Sequence, residues 1–291
     1  MTLSLENPAD RLGDRQFEAV ARLVETTCGI KLPGSKRLMC EGRLRRRARA
    51  TGCESLDAYV TTLQSADRLE QELQYLIDAI TTNKTDFFRE PAHYVALRER
   101  LVPALIRLHG RRPARLKIWS AACSTGLEAY TAAMVLQDLL SERTDFRFSI
   151  LGTDISSEVL AQAREAIYPL EVARPIPAEM RARYLMQARK PRRSEVRVVP
   201  ELRRTVRFAH LNLIDRPYAL DSDLDVIFCR NVLIYFSRPV QEMVVRELAR
   251  HLRPGGYLVL GHSESMSGAA ADWLQQSEPT IYRAPAPGDD A

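Results

Sequence analysis

The chain has 291 residues, of which 45% are hydrophobic and 27% charged, the balance of an ordinary globular protein with room for one or two domains. The opening stretch MTLSLENPADRLGDRQF carries acids and no apolar run, so no secretory signal is expected. No segment approaches the roughly 20 apolar residues of a spanning helix, so a soluble, cytoplasmic protein without direct membrane insertion is the expectation.

Cys28, Cys40, Cys53, Cys123 and Cys229 are odd in number and form no C-x-x-C pair. That argues against a disulfide framework and against a zinc site, and no metal is expected. The formal net charge is +5, but its placement matters more. Residues 36–49 hold seven Lys/Arg against one Glu, and residues 171–210 hold eleven against four. The rest of the chain is net acidic. Such basic blocks attract nucleic acid, an anionic membrane or an acidic protein, and charge alone does not choose among them.

In chain order, the first eighty residues read as helices. Phe17, Val20, Ala21, Leu23 and Val24 keep helical spacing up to Cys28-Gly29. Ser35 is expected to cap a second helix that ends at Thr51-Gly52. On that helix Lys36, Arg43 and Arg47 are read as one stripe, and Leu38, Leu44 and Ala48 as another. Leu56–Leu63 and Leu69–Ile80 supply further helices. From about residue 115 short β-rich runs alternate with helices: LKIWSA, a helix over Gly126–Leu140, FRFSILGTD, a helix over Ser157–Ala166, VRFAHLN, LDVIFCRN, a helix over Pro239–Leu252, and YLVLGHSE. This alternation predicts an α/β fold with a doubly wound, mostly parallel sheet. EVRVVPE and TVRFAHL read as strands of a small β insertion over residues 183–210.

In such a sheet the ligand lies beyond the carboxyl ends of the strands. Ser120-Ala121-Ala122-Cys123-Ser124-Thr125-Gly126 follows the first strand as a loop of small residues. Asp154 ends the second, about 28 residues past Gly126, where a carboxylate accepts bonds from ribose hydroxyls. Cys229-Arg230-Asn231 follows the fourth. The loop lacks the G-x-G-x-x-G that brings backbone to a pyrophosphate, which favours S-adenosylmethionine over a dinucleotide.

TTNKTDFFRE, WSAACSTGLEAY, GTDIS, NLID, FCRNVLIYF and LRPGGYLVLGHSE together resemble the chemotaxis receptor methyltransferases of the CheR type, over nearly the whole chain and including KRLMCEGRLRRRARATG. The resemblance implies a Rossmann-like class I methyltransferase sheet with a small antiparallel β insertion, behind an all-α N-terminal domain. It divides the chain into 1–80, a helical receptor-docking domain; 81–95, a linker reaching the active site; 96–284, the methyltransferase domain; and 285–291, a disordered tail. It implies S-adenosylmethionine as cofactor and S-adenosylhomocysteine as product. Asn83, Thr85 and Arg89 match the segment closing over the cofactor, and Glu128 the acid near its methionyl part. Asp154 matches the ribose acid, Asn212-Leu213 the adenine contact, and Arg230-Asn231 the contact after the fourth strand. Arg89 and Tyr235 match the catalytic pair beside the methyl group. Leu127 and Ala129 depart from the family's Glu and Pro, while Glu128 is kept.

By the same resemblance, Lys36, Arg43 and Arg47 face the acidic helical methylation region of chemoreceptors. Ala188-Arg189-Lys190-Pro191-Arg192-Arg193 stands where some relatives carry glycines, which counts against a bound receptor C-terminal tether. Nothing resembles a dimer interface, so a monomer is expected. The implied reaction is methyl esterification of glutamate side chains, whose carboxylates are ionised at neutral pH and need no general base. Two rivals stand beside it: a nucleic-acid methyltransferase, for which the insertion has few stacking aromatics, so no nucleic-acid partner is expected; and a cofactor-binding, non-catalytic adaptor. Phe87 and Phe88 read as core anchors, and Gly261-His262-Ser263-Glu264 as structural, since adjacent strand residues point to opposite faces.

Overall fold

The computed structural model describes residues 10–110, 112–187, 194–266 and 273–286. The chain divides into two compact units, one of residues 1–82 with Tyr235–Ser237, the other of 83–234 with 238–291.

The first unit is helical. α1 (Asp14–Cys28) buries Phe17, Val20, Val24 and Cys28, a four-residue rhythm, and ends where Gly29 takes φ 73° and returns its N–H to Glu25. α2 (Arg37–Ala50) starts after a single turn at Gly34–Lys36, so Ser35 is not its cap; Lys36 holds that position without a side-chain bond. The buried face of α2 is Cys40, Glu41, Leu44 and Ala48, whereas Leu38 is 69% exposed. The stripe expected to contain Leu38 is thus corrected: only the i, i+4, i+8 set 40/44/48 lies on one face at 100° per residue. α3 (Leu56–Thr62) is capped by the Ser55 hydroxyl on the Ala58 N–H at 3.0 Å. α4 (Ala66–Ile80) buries Leu76, Ile77 and Ile80, and also Glu72.

The second unit opens with α5 (Ala92–Ala96), one π turn at Leu97–Leu101, and α6 (Val102–His109). β1 (Ala114–Ala121), α7 (Leu127–Glu142), β2 (Phe146–Asp154) and α8 (Ser157–Glu165) follow. Next come β3 (Ile167–Pro169), α9 (Ala178–Tyr184), β4 (Leu185–Gln187), β5 (Glu195–Val198), α10 (Pro200–Arg203) and β6 (Val206–His210). The chain finishes with β7 (Leu224–Cys229), α11 (Arg238–His251), β8 (Leu252–Leu260), β9 (Gln275–Glu278) and β10 (Ile281–Arg283).

Seven strands form one sheet in the order β6-β2-β1-β7-β8-β10-β9. The first five pair in parallel, and β10 joins β8 and β9 antiparallel. Every residue of β7 is buried, as expected of a strand covered on both faces. The path runs outward from β1 to β2 on one side and, after β6, resumes with β7 on the other. β1 and β7 therefore flank the topological switch point, where open α/β sheets leave their ligand crevice.

Three short strands form a separate antiparallel sheet in the order β3-β5-β4. The insertion begins at Ile167, earlier than the 183 read from sequence. Val206–His210, which the sequence fitted both to the alternating strands and to the insertion, takes the first place: it pairs in parallel with β2 in the main sheet. Residues 188–193, where the tether glycines were sought, and 287–291 of the tail lie outside the described residues.

Candidate functional site

Three chain segments meet at the carboxyl ends of β1, β2 and β7. The first is the linker Asn83–Glu90. Phe87 is 1% exposed, edge-on to the buried Tyr168 ring at 5.5 Å, and the Phe88 N–H donates to the Thr131 hydroxyl at 3.3 Å. Both phenylalanines anchor the segment, as the sequence suggested. Phe88 and Glu90 adopt φ of 54° and 56°, a left-handed backbone uncommon for such residues. The second segment is the loop after β1. Ala122 and Ser124 are also left-handed, at 56° and 52°, as is Gly126 at 83°. A Cβ on Gly126 would come within 2.9 Å of Ala163 and of the Phe208 ring, so only glycine fits there. Strain of this kind, at about 1–3 kcal/mol per residue, persists where surrounding structure holds it and concentrates at functional sites.

Asp154 organises the loop. Its carboxylate accepts from the Ser124 N–H at 2.8 Å and the Ser156 N–H at 2.9 Å, while the Ser124 hydroxyl donates to the Asn83 carbonyl at 2.8 Å. One acid thereby fixes the β1 loop and, through Ser124, the linker. A carboxylate is also the kind of group that accepts hydrogen bonds from a diol.

The third segment follows β7. The Arg230 guanidinium is buried and donates to Glu128 at 2.9 Å, to Glu90 at 3.1 Å, to the Tyr94 hydroxyl at 3.1 Å and to the Arg89 carbonyl. The other Glu128 oxygen accepts from the Ser120 hydroxyl at 2.7 Å. Burial works against the charge of Arg230, yet Glu128, Tyr94 and Glu90 outweigh it and hold its pKa above the ordinary value. For Glu128 burial is the larger influence and pushes its pKa up against the pull of Arg230. For Glu90, burial is outweighed by bonds from Asn231 and the charge of Arg230, and its pKa falls. Two carboxyls thus face one guanidinium, and Asp154 adds a third acid.

Asn231 stands at φ 60° and donates its side-chain amide to Glu90 at 3.2 Å. Its backbone is held from below by Glu264. That buried carboxylate accepts four backbone N–H groups, from Gly261 at 2.7 Å and from Asn231, Val232 and Leu233 at 2.8 Å each. A Cβ on Gly261 would come within 2.6 Å of the Asn231 amide, so the two turns touch through that glycine.

Of the residues singled out from sequence, Asn83, Asp154, Glu128, Arg230 and Asn231 converge here. Arg89 contributes its carbonyl to Arg230, while its guanidinium donates to the Lys84 carbonyl at 3.0 Å. Thr85 is half-buried in the linker. Asn212 and Leu213 form a turn just beyond β6, with the Leu213 carbonyl accepting from the Tyr218 hydroxyl at 2.7 Å. Tyr235 groups with the helical unit, where the Lys36 ammonium lies 5.0 Å from its ring centre. Arg43 donates to the carbonyls of Ile80 and Thr81 at 2.6 and 2.9 Å, closing the end of α4. Arg47 grips Glu72 through two bonds of 2.6 and 2.8 Å. Both arginines are therefore internal ties as well as basic surface, which the helical stripe alone did not reveal.

Sequence reasoning missed Glu90 and Tyr94 as partners of Arg230, and Glu264 as the anchor of Asn231. Glu90 and Glu264 lay inside quoted strings; nothing in their spacing told which strand end they would meet.

A Rossmann-like sheet with an acid closing β2, a loop of small residues without G-x-G-x-x-G after β1 and an acid-rich crevice at the switch point defines an S-adenosylmethionine-dependent methyltransferase. The residues suit that cofactor, since its ribose takes a carboxylate and its cationic sulfonium takes an acidic crevice. Comparison with known proteins agrees. The family description "CheR methyltransferase, all-alpha domain" matches residues 15–81, and "CheR methyltransferase, SAM binding domain" matches residues 83–283. Similar relatives include a chemotaxis protein methyltransferase of Klebsiella aerogenes, 38% identical over 93% of this chain and 90% of the relative. One from Escherichia coli is 38% identical over 88% and 86%, and chemotaxis protein methyltransferase 2 of Pseudomonas aeruginosa is 38% identical over 87% and 88%. The chain belongs to the CheR methyltransferase family and acts in S-adenosylmethionine-dependent methylation in chemotaxis. No described helix is long and apolar enough to cross a membrane.

Proposed function

We propose that the chain transfers the methyl group of S-adenosylmethionine to glutamate side-chain carboxylates of chemoreceptors, producing glutamyl methyl esters. The observation that supports this most is the Asp154 carboxylate, which joins the β1 loop to the end of β2 beside the Arg230–Glu128–Glu90 cluster. When bound, the cofactor supplies an electrophilic methyl on a sulfonium. The chain's own residues then have four tasks. Asp154 takes the ribose hydroxyls, and Asn212-Leu213 border the adenine. Glu128 and Arg230, with Asn231, Asn83 and Thr85, hold the methionyl end. Arg89 orients the incoming carboxylate by charge-assisted bonds.

No proton has to be removed, because a glutamate near pKa ~4.3 is already ionised at neutral pH. Carboxylate oxygen, methyl carbon and sulfur must lie in line, and positioning of that kind supplies roughly 7–11 kcal/mol. Lys36, with the basic face of α2, docks the acidic helical region of the receptor, an attraction that weakens with salt. The test is incorporation of labelled methyl into a receptor fragment by wild type, Arg89→Ala and Asp154→Ala, with base lability of the product identifying an ester. Full incorporation by both variants rejects the assigned roles; a base-stable product rejects the ester.

A further inference from the structure

His93, His262 and Glu90 bring one donor atom each to within 4.8 Å of the others; Glu90 belongs to the Arg230 cluster, while the two histidine side chains have no role in the site described above. His93 is 2% exposed, and its Nδ1 has no hydrogen-bond partner among the described residues. Its other ring nitrogen lies 2.8 Å from the Thr280 hydroxyl. That hydroxyl spends its proton on the Pro279 carbonyl at 2.7 Å, so Nε2 must be the donor and Nδ1 carries a bare lone pair. Nδ1 faces the Glu90 Oε2 across 3.5 Å. Two electron pairs therefore oppose each other across a buried gap, an arrangement that asks for a cation between them.

The spacing has a specific meaning. With metal–ligand bonds of about 2.0–2.2 Å, two ligands of a tetrahedral zinc lie about 3.4 Å apart, which is the His93–Glu90 separation. The His262 ring stands edge-on to His93 at 5.1 Å between centroids. It is exposed, so it can swing its nitrogen inward as third ligand. Two imidazoles and a carboxylate with an open fourth position form a zinc-type donor set. A ring nitrogen fixed through its opposite N–H by an outer partner is the arrangement that metal-ligating histidines use.

We infer that Glu90, His93 and His262 form a binding site for a divalent transition metal of the zinc type, and that its occupation slows methyl transfer. The inhibitory half rests on the methyltransferase reading; the binding half does not. Glu90 Oε2 is also the acceptor of Arg230 and of the His262 N–H. A metal on that oxygen competes with both contacts and loosens the Arg230–Asn231 turn.

The experiment titrates the full chain, freed of metal, with Zn2+ by calorimetry and with Co2+ by visible absorption. One Zn2+ per chain is expected, and a tetrahedral Co2+ spectrum without the near-ultraviolet band of a thiolate ligand. His262→Ala, at an exposed position, should weaken binding at least about tenfold while keeping metal-free activity. Thr280→Val, which removes the partner of Nε2, should weaken it about tenfold or more. Zn2+ should inhibit wild-type methyl transfer with the midpoint of binding, reversed by a chelator. Absence of binding, a thiolate band, or equal affinity in wild type and His262→Ala overturns the site. Binding without inhibition overturns the regulatory half and leaves the catalytic assignment untouched.

Discussion

Replacing Glu264 by Gln isolates the support beneath Asn231. One carboxylate oxygen accepts from Asn231 and Gly261, the other from Val232 and Leu233. The glutamine amide keeps one accepting oxygen and turns an NH2 group toward two donors. Two charge-assisted bonds are lost, at about 1.5–3 kcal/mol each, so the cost is about 3 kcal/mol once the turn relaxes toward water. For a domain of about 200 residues, 1 kcal/mol shifts Tm by about 2–4 °C, which gives a fall of about 6–12 °C. The relaxed turn also releases Asn231 from φ 60° and from Glu90. Affinity for S-adenosylmethionine, measured by calorimetry well below the melting temperature, should fall about tenfold, equivalent to 1.4 kcal/mol. A variant that melts within about 1 °C of wild type and binds the cofactor unchanged would show that Glu264 supports nothing, and the reasoning would fall with it.

Arg230→Lys should be more severe, because a single ammonium cannot reach Glu128, Glu90 and Tyr94 together. It leaves Glu128 buried with a poorer partner, at about 3–5 kcal/mol, readable as a lower denaturant midpoint. Arg47→Ala uncovers Glu72, whose pKa the Arg47 hydrogen bonds hold below its usual value. That pairing contributes stability above the ordinary carboxylate pKa and loses it as pH falls through the lowered one, so the variant should melt earlier at neutral pH and show a smaller further loss on acidification. His93 works in the same direction for the opposite chemical reason. Its folded pKa of about 4 lies below the ordinary 6.5, so the unfolded chain binds the extra proton between those values and stability declines as pH falls from 6.5 to 4. Thermal melts of His93→Gln should show a shallower decline over that window, and parallel curves would contradict the assignment.

The parallel part of the sheet was legible because its strands carry continuous apolar runs separated by amphipathic helices, a pattern fixed by burial on both faces. Val206–His210 fitted either sheet, because an edge strand and an insertion strand share the same short β-rich composition. Only pairing with β2 distinguishes them. In α2, Leu38 and Leu44 are both apolar, but six residues place them on different faces, and the buried stripe runs through Cys40 instead. Arg43 and Arg47 read only as a docking stripe because their partners, the end of α4 and Glu72, come from a distant stretch of chain.

The sequence by itself determined the order of elements, the family strings and the acid at the end of β2, since each depends on residues near one another in the chain. The tertiary structure decided which charges meet. Arg230 finds Glu90 and Glu128 at sequence separations of 140 and 102, and Asn231 rests on Glu264 from the turn after β8. Buried charges need partners whatever their distance in sequence, and a parallel sheet gathers the ends of remote strands into one crevice.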